Sequence, residues 1–292
     1  MLSVLIPTYN AICTHLVEEI HREATLLGIE FEILVADDGS DEEVCKANRS
    51  IENLGNCRFI PSMGNIGPAR IRNKLADMAG YQYLLFLDAD VMPQRATFLA
   101  DYLRDALPGG VVCGGFCYHR TLPSPGYALR YYYGIRVEEK SPKERSRHPY
   151  EGFISMSFLA DRDVFQKVRF DDEMHFGYED TYFGSLLEQN NVPILHIDNP
   201  VYHLSQESSV DYLKKIRTSI VNLSHGIEKQ RHNVRLLRWY TFLERCGMTW
   251  LVAKVFAKAL PAIEKNLTGE HPSLKLFAFY KLGYLCQILR SK

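Results

Sequence analysis

Leu84-Leu85-Phe86-Leu87-Asp88-Ala89-Asp90 is an apolar run closed by two carboxylates one residue apart. Tyr83 to Leu87 reads as a strand, and in open α/β sheets ligands bind beyond the carboxyl ends of strands, so the two acids stand where a substrate is expected. If extended geometry continues past the strand, its period of two sends Asp88 and Asp90 to the same side. Like charges so close point either to a divalent cation or to capping of a following helix. Hard oxygen ligands suit magnesium or manganese and leave positions for phosphate oxygens.

Upstream, short apolar runs alternate with longer amphipathic stretches, the pattern of βαβ units around a mainly parallel sheet. Leu2 to Ile6, Phe31 to Ala36 and Cys57 to Ile60 read as further strands. Ile12 to Leu27, Asp41 to Arg49, Gly67 to Met78 and Gln94 to Leu107 are long enough for crossover helices. The fold class expected is therefore α/β, a Rossmann-like mixed, mainly parallel sheet flanked by helices.

Polar groups collect at the ends of these strands. The first ends in Pro7-Thr8-Tyr9-Asn10 and the second in Asp37-Asp38-Gly39-Ser40-Asp41. Asp37 or Asp38 can accept a hydrogen bond from a nucleobase N–H or a ribose hydroxyl while the Thr8–Tyr9 backbone lines the base. The same DDGSD run reads as a turn with Ser40 or Asp41 as a helix N-cap, and both readings hold together. Gly64 to Asn73 places glycines at a turn, Pro68 near a helix start, and Arg70 and Arg72 in the first turns, where arginine pairs with phosphate or stacks on a base.

Downstream of Gly109 the pattern loosens. Val111 to Tyr118 reads as a strand, Tyr127 to Val137 as an aromatic helix or strand, and Glu138 to Tyr150 as a charged loop around KSPKERSRHP, either a solvated surface or a lid. Phe176-Gly177-Tyr178-Glu179-Asp180-Thr181 opens an amphipathic stretch; its two acids either complement a helix dipole or supply a general base. His203 becomes a metal ligand only if the fold brings it to Asp90. From Ser209 onward only helices are expected, with Val210, Leu213, Ile216, Ile220 and Leu223 on one apolar face. The chain thus divides into a catalytic domain at 1–208 and a C-terminal helical region at 209–292.

Composition narrows the partners. A formal net charge of -1 over 292 residues gives no field for holding nucleic acid. Seven cysteines, an odd number without CxxC spacing, and no opening charged segment followed by an apolar stretch lead to the expectation of a reducing cytoplasm. Cys113 and Cys117 read as packing cysteines. No apolar run approaches the ~20 residues that span a bilayer. Trp250 to Leu260, apolar with Lys254 and Lys258, either lies on a membrane surface or packs against the catalytic domain.

Taken in order, SVLIPTYN, VADDGSD, NIGPARIRN, LFLDAD, GYEDTYFG and VYH resemble the GT-A catalytic domain of the inverting family-two glycosyltransferases, over about residues 2 to 203. The resemblance implies a hexosyl- or N-acetylhexosaminyl-transferase that moves a sugar from a nucleotide-diphosphate donor, a UDP-sugar first, to a glycan or lipid-linked acceptor in polysaccharide biosynthesis. It implies that Asp180 is the catalytic base and that Glu179 orients acceptor or donor. Pro7, Thr8, Tyr9, Asp37, Asp38, Arg72, Asp88, Ala89 and Asp90 would line the donor. Asp90, His203 and Asp88 would hold Mn2+ or Mg2+. It also suggests peripheral contact with the inner membrane face through the C-terminal helices.

Two departures bear on this reading: the segment between Gly115 and Gly152 matches no acceptor motif, and the QxxRW motif of processive synthases is missing, since Arg238-Trp239 lies in the helical tail. The competing readings are a non-catalytic sugar-nucleotide or glycan-binding module, which has no use for a base, and a sugar nucleotidyltransferase. The latter would carry a Gly-rich, lysine-bearing loop where Pro7 to Asn10 stands.

Overall fold

The computed structural model describes residues 1–122, 124–174, 176–204, 206–231 and 233–290. Among the described residues ten strands run in chain order: β1 Leu2–Thr8, β2 Phe31–Asp37, β3 Cys57–Ile60, β4 Tyr83–Leu87, β5 Val91–Pro93, β6 Val111–Cys113, β7 Phe116–Cys117, β8 Ser157–Asp161, β9 Ile194–His196 and β10 Val201–His203. Seven form one mixed sheet in the order β3-β2-β1-β4-β8-β6-β9. The first four are parallel, β8 runs against both β4 and β6, and β9 is parallel to β6. This is the α/β architecture expected.

The sequence patterning explains the order. β1 sits between β2 and β4 and is buried on both faces, which is why Leu2 to Ile6 reads as a continuous apolar run with only Ser3 breaking it. Ser3 is fully buried and donates to Glu32 Oε1 at 2.7 Å. Connections from β1 lead to β2 and β3 on one side, while β4 lies on the other. The strand order therefore reverses between β1 and β4, the place where open α/β sheets take their ligands.

The small sheet, β5-β10-β7, holds the chain beyond the two acids. The expected strand at 111–118 is two strands in different sheets, because Gly114-Gly115 breaks it and Gly115 has φ +86°. The charged loop is also corrected. Ser141 and Glu144 form a reciprocal capping box on a short helix, Pro142–Arg145. Arg145, 4% exposed, turns inward to donate to the carbonyls of Cys113, Gly114 and Ile197, and its Nη1 lies 3.1 Å from His196 Nδ1.

The chain forms two compact units. The first comprises residues 1–117, 140–173 and 179–205, the second 118–139, 174–178 and 206–292. The sequence reading drew a single boundary, after residue 208, whereas 118–139 and 174–178 pack with the later helices.

In the first unit, Phe86, Phe153, Phe158, Phe165, Phe170 and Phe183 gather in one core. Phe86 stacks on Phe158 at 4.7 Å and Phe170 on Phe183 at 4.1 Å between centroids.

In the second unit, the helices Ser209–His225, Thr249–Leu267 and Leu274–Arg290 bury Tyr212, Leu213, Phe256, Phe277 and Tyr280 together with Leu129. On the first of these helices Leu213, Ile220 and Leu223 face inward as expected, but Val210 is half exposed. Its first-turn position places it outside the packed face. Nearby, Arg130 is buried against the rings of Tyr118 and Tyr212 and pairs with Glu138 at 2.7 Å. The 250–260 segment is split: Ala253 and Phe256 are buried in the core of this unit, whereas Trp250, Leu251 and Val255 are exposed.

Candidate active site

β4 delivers the two acids. The Asp88 N–H donates to Met156 O at 3.0 Å, after which the chain turns at Ala89 and Asp90 before β5 begins. Extended geometry stops at Asp88, so the period of two no longer fixes which way the Asp90 side chain points. The turn sends the Asp88 carboxylate towards Arg72 and that of Asp90 towards His203. Ala89, between them, is buried.

Arg72 comes from the helix Pro68–Met78, which starts after Gly67 at φ +91° with proline at its first position. Its Nη2 donates to Asp88 Oδ1 at 2.7 Å and its Nη1 to Pro68 O at 3.2 Å, with Glu179 Oε1 3.9 Å away. The guanidinium lies 5.5 Å over the Phe170 ring and the residue is 5% exposed. Phe170 stacks in turn on Phe183 of the helix Glu179–Gln189. One aromatic pair therefore supports both the arginine and the helix that opens with Glu179 and Asp180.

His203 reaches Asp90 through backbone pairing. β10 runs antiparallel to β5 with His203 opposite Val91, and the Leu204 N–H donates to Asp90 O at 2.8 Å. His203 Nε2 ends 3.2 Å from Asp90 Oδ2. The condition the sequence set for this histidine is met.

The carboxyl groups here are shifted in the direction their surroundings dictate. Burial pushes Asp88 above the usual aspartate range, opposed by Arg72 and reinforced by Asp90. Burial likewise raises Asp180, opposed by the Thr181 N–H at 2.6 Å and by Arg72, and reinforced by Asp88. For Arg72, burial works against the charge, but Asp88 and Glu179 outweigh it and hold the guanidinium ionised.

At the end of β2 the two aspartates differ. Asp38 accepts from the Ile66 N–H at 2.7 Å and the Gly67 N–H at 3.0 Å, so it fastens the turn before the Arg72 helix. Asp37 accepts from Gly39 and Ser40 through Oδ2, while its Oδ1 is buried without a hydrogen-bond partner. A buried orphan acceptor is costly, which makes Asp37 Oδ1 the better candidate for a ligand donor.

Ser40 does not cap the following helix: its hydroxyl accepts from the Asn10 N–H at 2.8 Å. Asp41 holds the N-cap position without a side-chain bond. Pro7 lies in β1, Thr8 is buried with its hydroxyl donating to Ala11 O at 2.8 Å, and Tyr9 is exposed just past the strand.

Sequence reasoning missed the residues that brace this site. Asn73 exchanges hydrogen bonds with the backbone of Phe170 and donates to Asp172 Oδ1 at 2.8 Å, fixing the ring beneath Arg72. Its adjacency to Arg72 was the available signal. Nothing in the sequence pairs Arg72 with Phe170. Cys113 and Cys117 are buried on strands of different sheets, and burial pushes the Cys113 thiol up to about 12. Both fit packing better than metal binding. Among the described residues no three His, Cys, Asp or Glu side chains form a ready metal cluster.

Comparison with known proteins agrees with the fold. Residues 3–169 match the model for glycosyl transferase family 2. A validoxylamine A glucosyltransferase from Streptomyces hygroscopicus subsp. jinggangensis (strain 5008) is 32% identical over 153 residues, 50% of this chain and 35% of that protein, so the chain spans about a third of that relative's length. The mannosyltransferase PcManGT from Pyrobaculum calidifontis, solved with GDP-Man and Mn2+, superposes with a TM-score of 0.61 at 14% identity, covering 100% of this chain and 88% of that one. S. aureus TarS 1-349, solved with UDP-GlcNAc, gives 0.51 at 16% identity and covers 99% and 91%. The structural likenesses establish the GT-A fold, and the family match covers more than half of the 292 residues: the chain belongs to glycosyl transferase family 2.

Proposed function

We propose that this chain transfers a sugar from a nucleotide-diphosphate donor to a hydroxyl acceptor by a single inverting displacement, with catalysis in the first compact unit and residues 209–292 as a helical region. The observation that carries the reading is the meeting of four distant segments at one sheet edge: Arg72 joins Asp88 to Glu179, and His203 meets Asp90.

Asp37 Oδ1 is the acceptor for a nucleobase or ribose donor, with Tyr9 and the Thr8 backbone beside it. Arg72 is too enclosed to lie openly along a nucleotide; it is a positioning residue that pairs with Asp88, favouring the charged form of that carboxylate against its burial, and orients Glu179. Asp90 and His203 offer one oxygen and one nitrogen donor side by side, a mixed set that manganese or magnesium accepts, with positions left for water and diphosphate oxygens. Such a cation, when bound, supplies positive charge against the departing diphosphate. Asp88, already paired with Arg72, is the weaker candidate as its ligand.

Asp180 takes the proton from the attacking acceptor hydroxyl. Its raised affinity for protons suits that role, since a base works best when its pKa approaches the working pH. Attack on the face opposite the departing diphosphate inverts the anomeric centre. A UDP-sugar is the first choice of donor, in keeping with the UDP-GlcNAc bound by TarS, and the GDP-Man bound by PcManGT names the competitor. The acceptor class we assign is a glycan or lipid-linked oligosaccharide, and free thiols throughout suit a reducing cytoplasm.

Calorimetric titration with UDP, GDP, CMP and dTDP, with and without manganese, tests the reading on the protein and on Asp90→Ala. Metal-dependent binding of one nucleotide, lost in the variant, is the expected result. Binding of none, or manganese dependence that survives Asp90→Ala, overturns it.

A further inference from the structure

The sequence contains two tryptophans, and both are about half exposed, Trp239 at 54% and Trp250 at 52%. They flank an elbow in the second unit, where the helix Arg235–Arg245 meets Thr249–Leu267 at 116° through Gly247 in a left-handed conformation. Phe242, Met248, Leu251 and Val255 are also exposed there, so the outward faces of both arms carry large apolar side chains.

The inward faces are already satisfied. Leu237, Tyr240, Ala253 and Phe256 are buried in the unit's own core. An ordinary surface helix would turn polar residues outward once its core face is packed. Here Trp239 and Phe242 sit edge to face on the solvent side, with centroids 6.1 Å apart.

The charge around this surface is equally biased. Residues 235–265 contain six Lys or Arg, at 235, 238, 245, 254, 258 and 265, against Glu244 and Glu264, in a chain whose formal net charge is -1. Both acids are engaged by other arginines, Glu244 by Arg231 at 2.9 Å and Glu264 by Arg217. All six cations are exposed. Among the described residues no single helix is long and apolar enough to cross a membrane. Exposed tryptophans rimmed by cations are what an interfacial, bilayer-lying surface requires: the rings sit at the headgroup level and the cations meet anionic phosphates.

We propose that this elbow docks the protein on the surface of an anionic lipid bilayer, with Trp239 and Trp250 inserted at the headgroup boundary. The inference stands on the second unit alone and does not depend on the glycosyl-transfer reading.

Because both tryptophans lie in the surface, their intrinsic fluorescence reports contact directly. Vesicles of phosphatidylcholine alone and of phosphatidylcholine with phosphatidylglycerol are titrated into the full chain, with flotation as a second readout. The expected result is a blue shift and co-flotation with the anionic vesicles, weakened roughly tenfold or more in a Lys254→Gln/Lys258→Gln variant and by high salt. In a Trp239→Ala/Trp250→Ala variant flotation should be lost while circular dichroism and nucleotide binding stay unchanged.

Equal binding to neutral and anionic vesicles, or none to either, overturns the proposal. So does a dimer in analytical ultracentrifugation that the tryptophan variant dissociates, because the surface would then be covered by a second copy. If the tryptophan variant misfolds, the lysine variant and the salt dependence still decide.

Discussion

Burial raises the pKa of Asp180 and of Asp88, and that has opposite consequences for activity and stability. A carboxyl whose folded pKa is raised binds its proton more tightly in the folded state, so its contribution to stability is greatest at low pH and is lost as pH rises from the unfolded value through the folded one. Once pH exceeds its folded pKa, the ionised Asp180 therefore weakens the fold. Asp180→Asn is expected to lower turnover by at least ~100-fold, to leave nucleotide affinity intact, and to hold or raise the thermal midpoint at pH 7. Steady-state kinetics beside calorimetry and a melting curve check all three, and unchanged turnover removes Asp180 from the mechanism. The same shift sets the acid limb of kcat/KM: activity should fail as pH drops through a value above the ordinary ~3.9 of aspartate. Asp88→Asn removes the like charge and frees Arg72, so in that variant the limb should move to lower pH, and a limb moving upward contradicts the coupling. The acids themselves could be read in the sequence because an apolar strand ending in charge is a local signal. Their partners could not. That Arg72 belongs to Asp88 and that Asp37, rather than Asp38, keeps an unused oxygen depends on turns closed by residues 66 and 67, which no local pattern reveals.

At the scale of elements, the parallel strands were legible and the antiparallel additions were not. Runs such as Leu2 to Ile6 and Tyr83 to Leu87 are buried on both faces and read as strands wherever they occur. β5, β7 and β10 are two or three residues long and owe their pairing to one another, so only the assembled sheet defines them. The segment from Glu138 to Tyr150 misleads for a related reason: its charge suggests solvent, yet one of its cations is structural. Arg145 puts a buried guanidinium on backbone carbonyls of Cys113, Gly114 and Ile197, which tie the ends of β6 and β9. Burial lowers its pKa, because taking the guanidinium out of water disfavours the charged form. Arg145→Met should leave those carbonyls without donors and destabilise the protein by about 2 kcal/mol or more, seen as a thermal midpoint lower by several degrees. A melting curve matching the parent would show that water replaces the guanidinium without cost.

For the whole molecule, the cysteines give a test that needs no substrate. The seven thiols are free, with Cys13, Cys113, Cys117 and Cys286 buried, Cys45 and Cys57 partly covered and Cys246 exposed. Burial raises the thiols of Cys13, to about 12, and of Cys57 and Cys286, each to about 11, so the reactive thiolate is suppressed where access is also poor. Reaction with a chromogenic disulfide at pH 8 should therefore label Cys246 first, Cys45 and Cys57 more slowly, and the other four only on unfolding. Cys246→Ser should abolish the fast phase. With no covalent link to lose, the thermal midpoint should be the same with and without dithiothreitol. The two compact units separate in this assay. Cys246 and Cys286 lie in the second and the other five in the first, so labelling of Cys286 in denaturant follows the opening of one unit and that of Cys13 and Cys113 the opening of the other. Coincident release of both sets means that the units unfold as one cooperative body, whereas release in two steps means that each is stable by itself. A fast phase of more than one thiol in the native protein would contradict the burial on which both units rest.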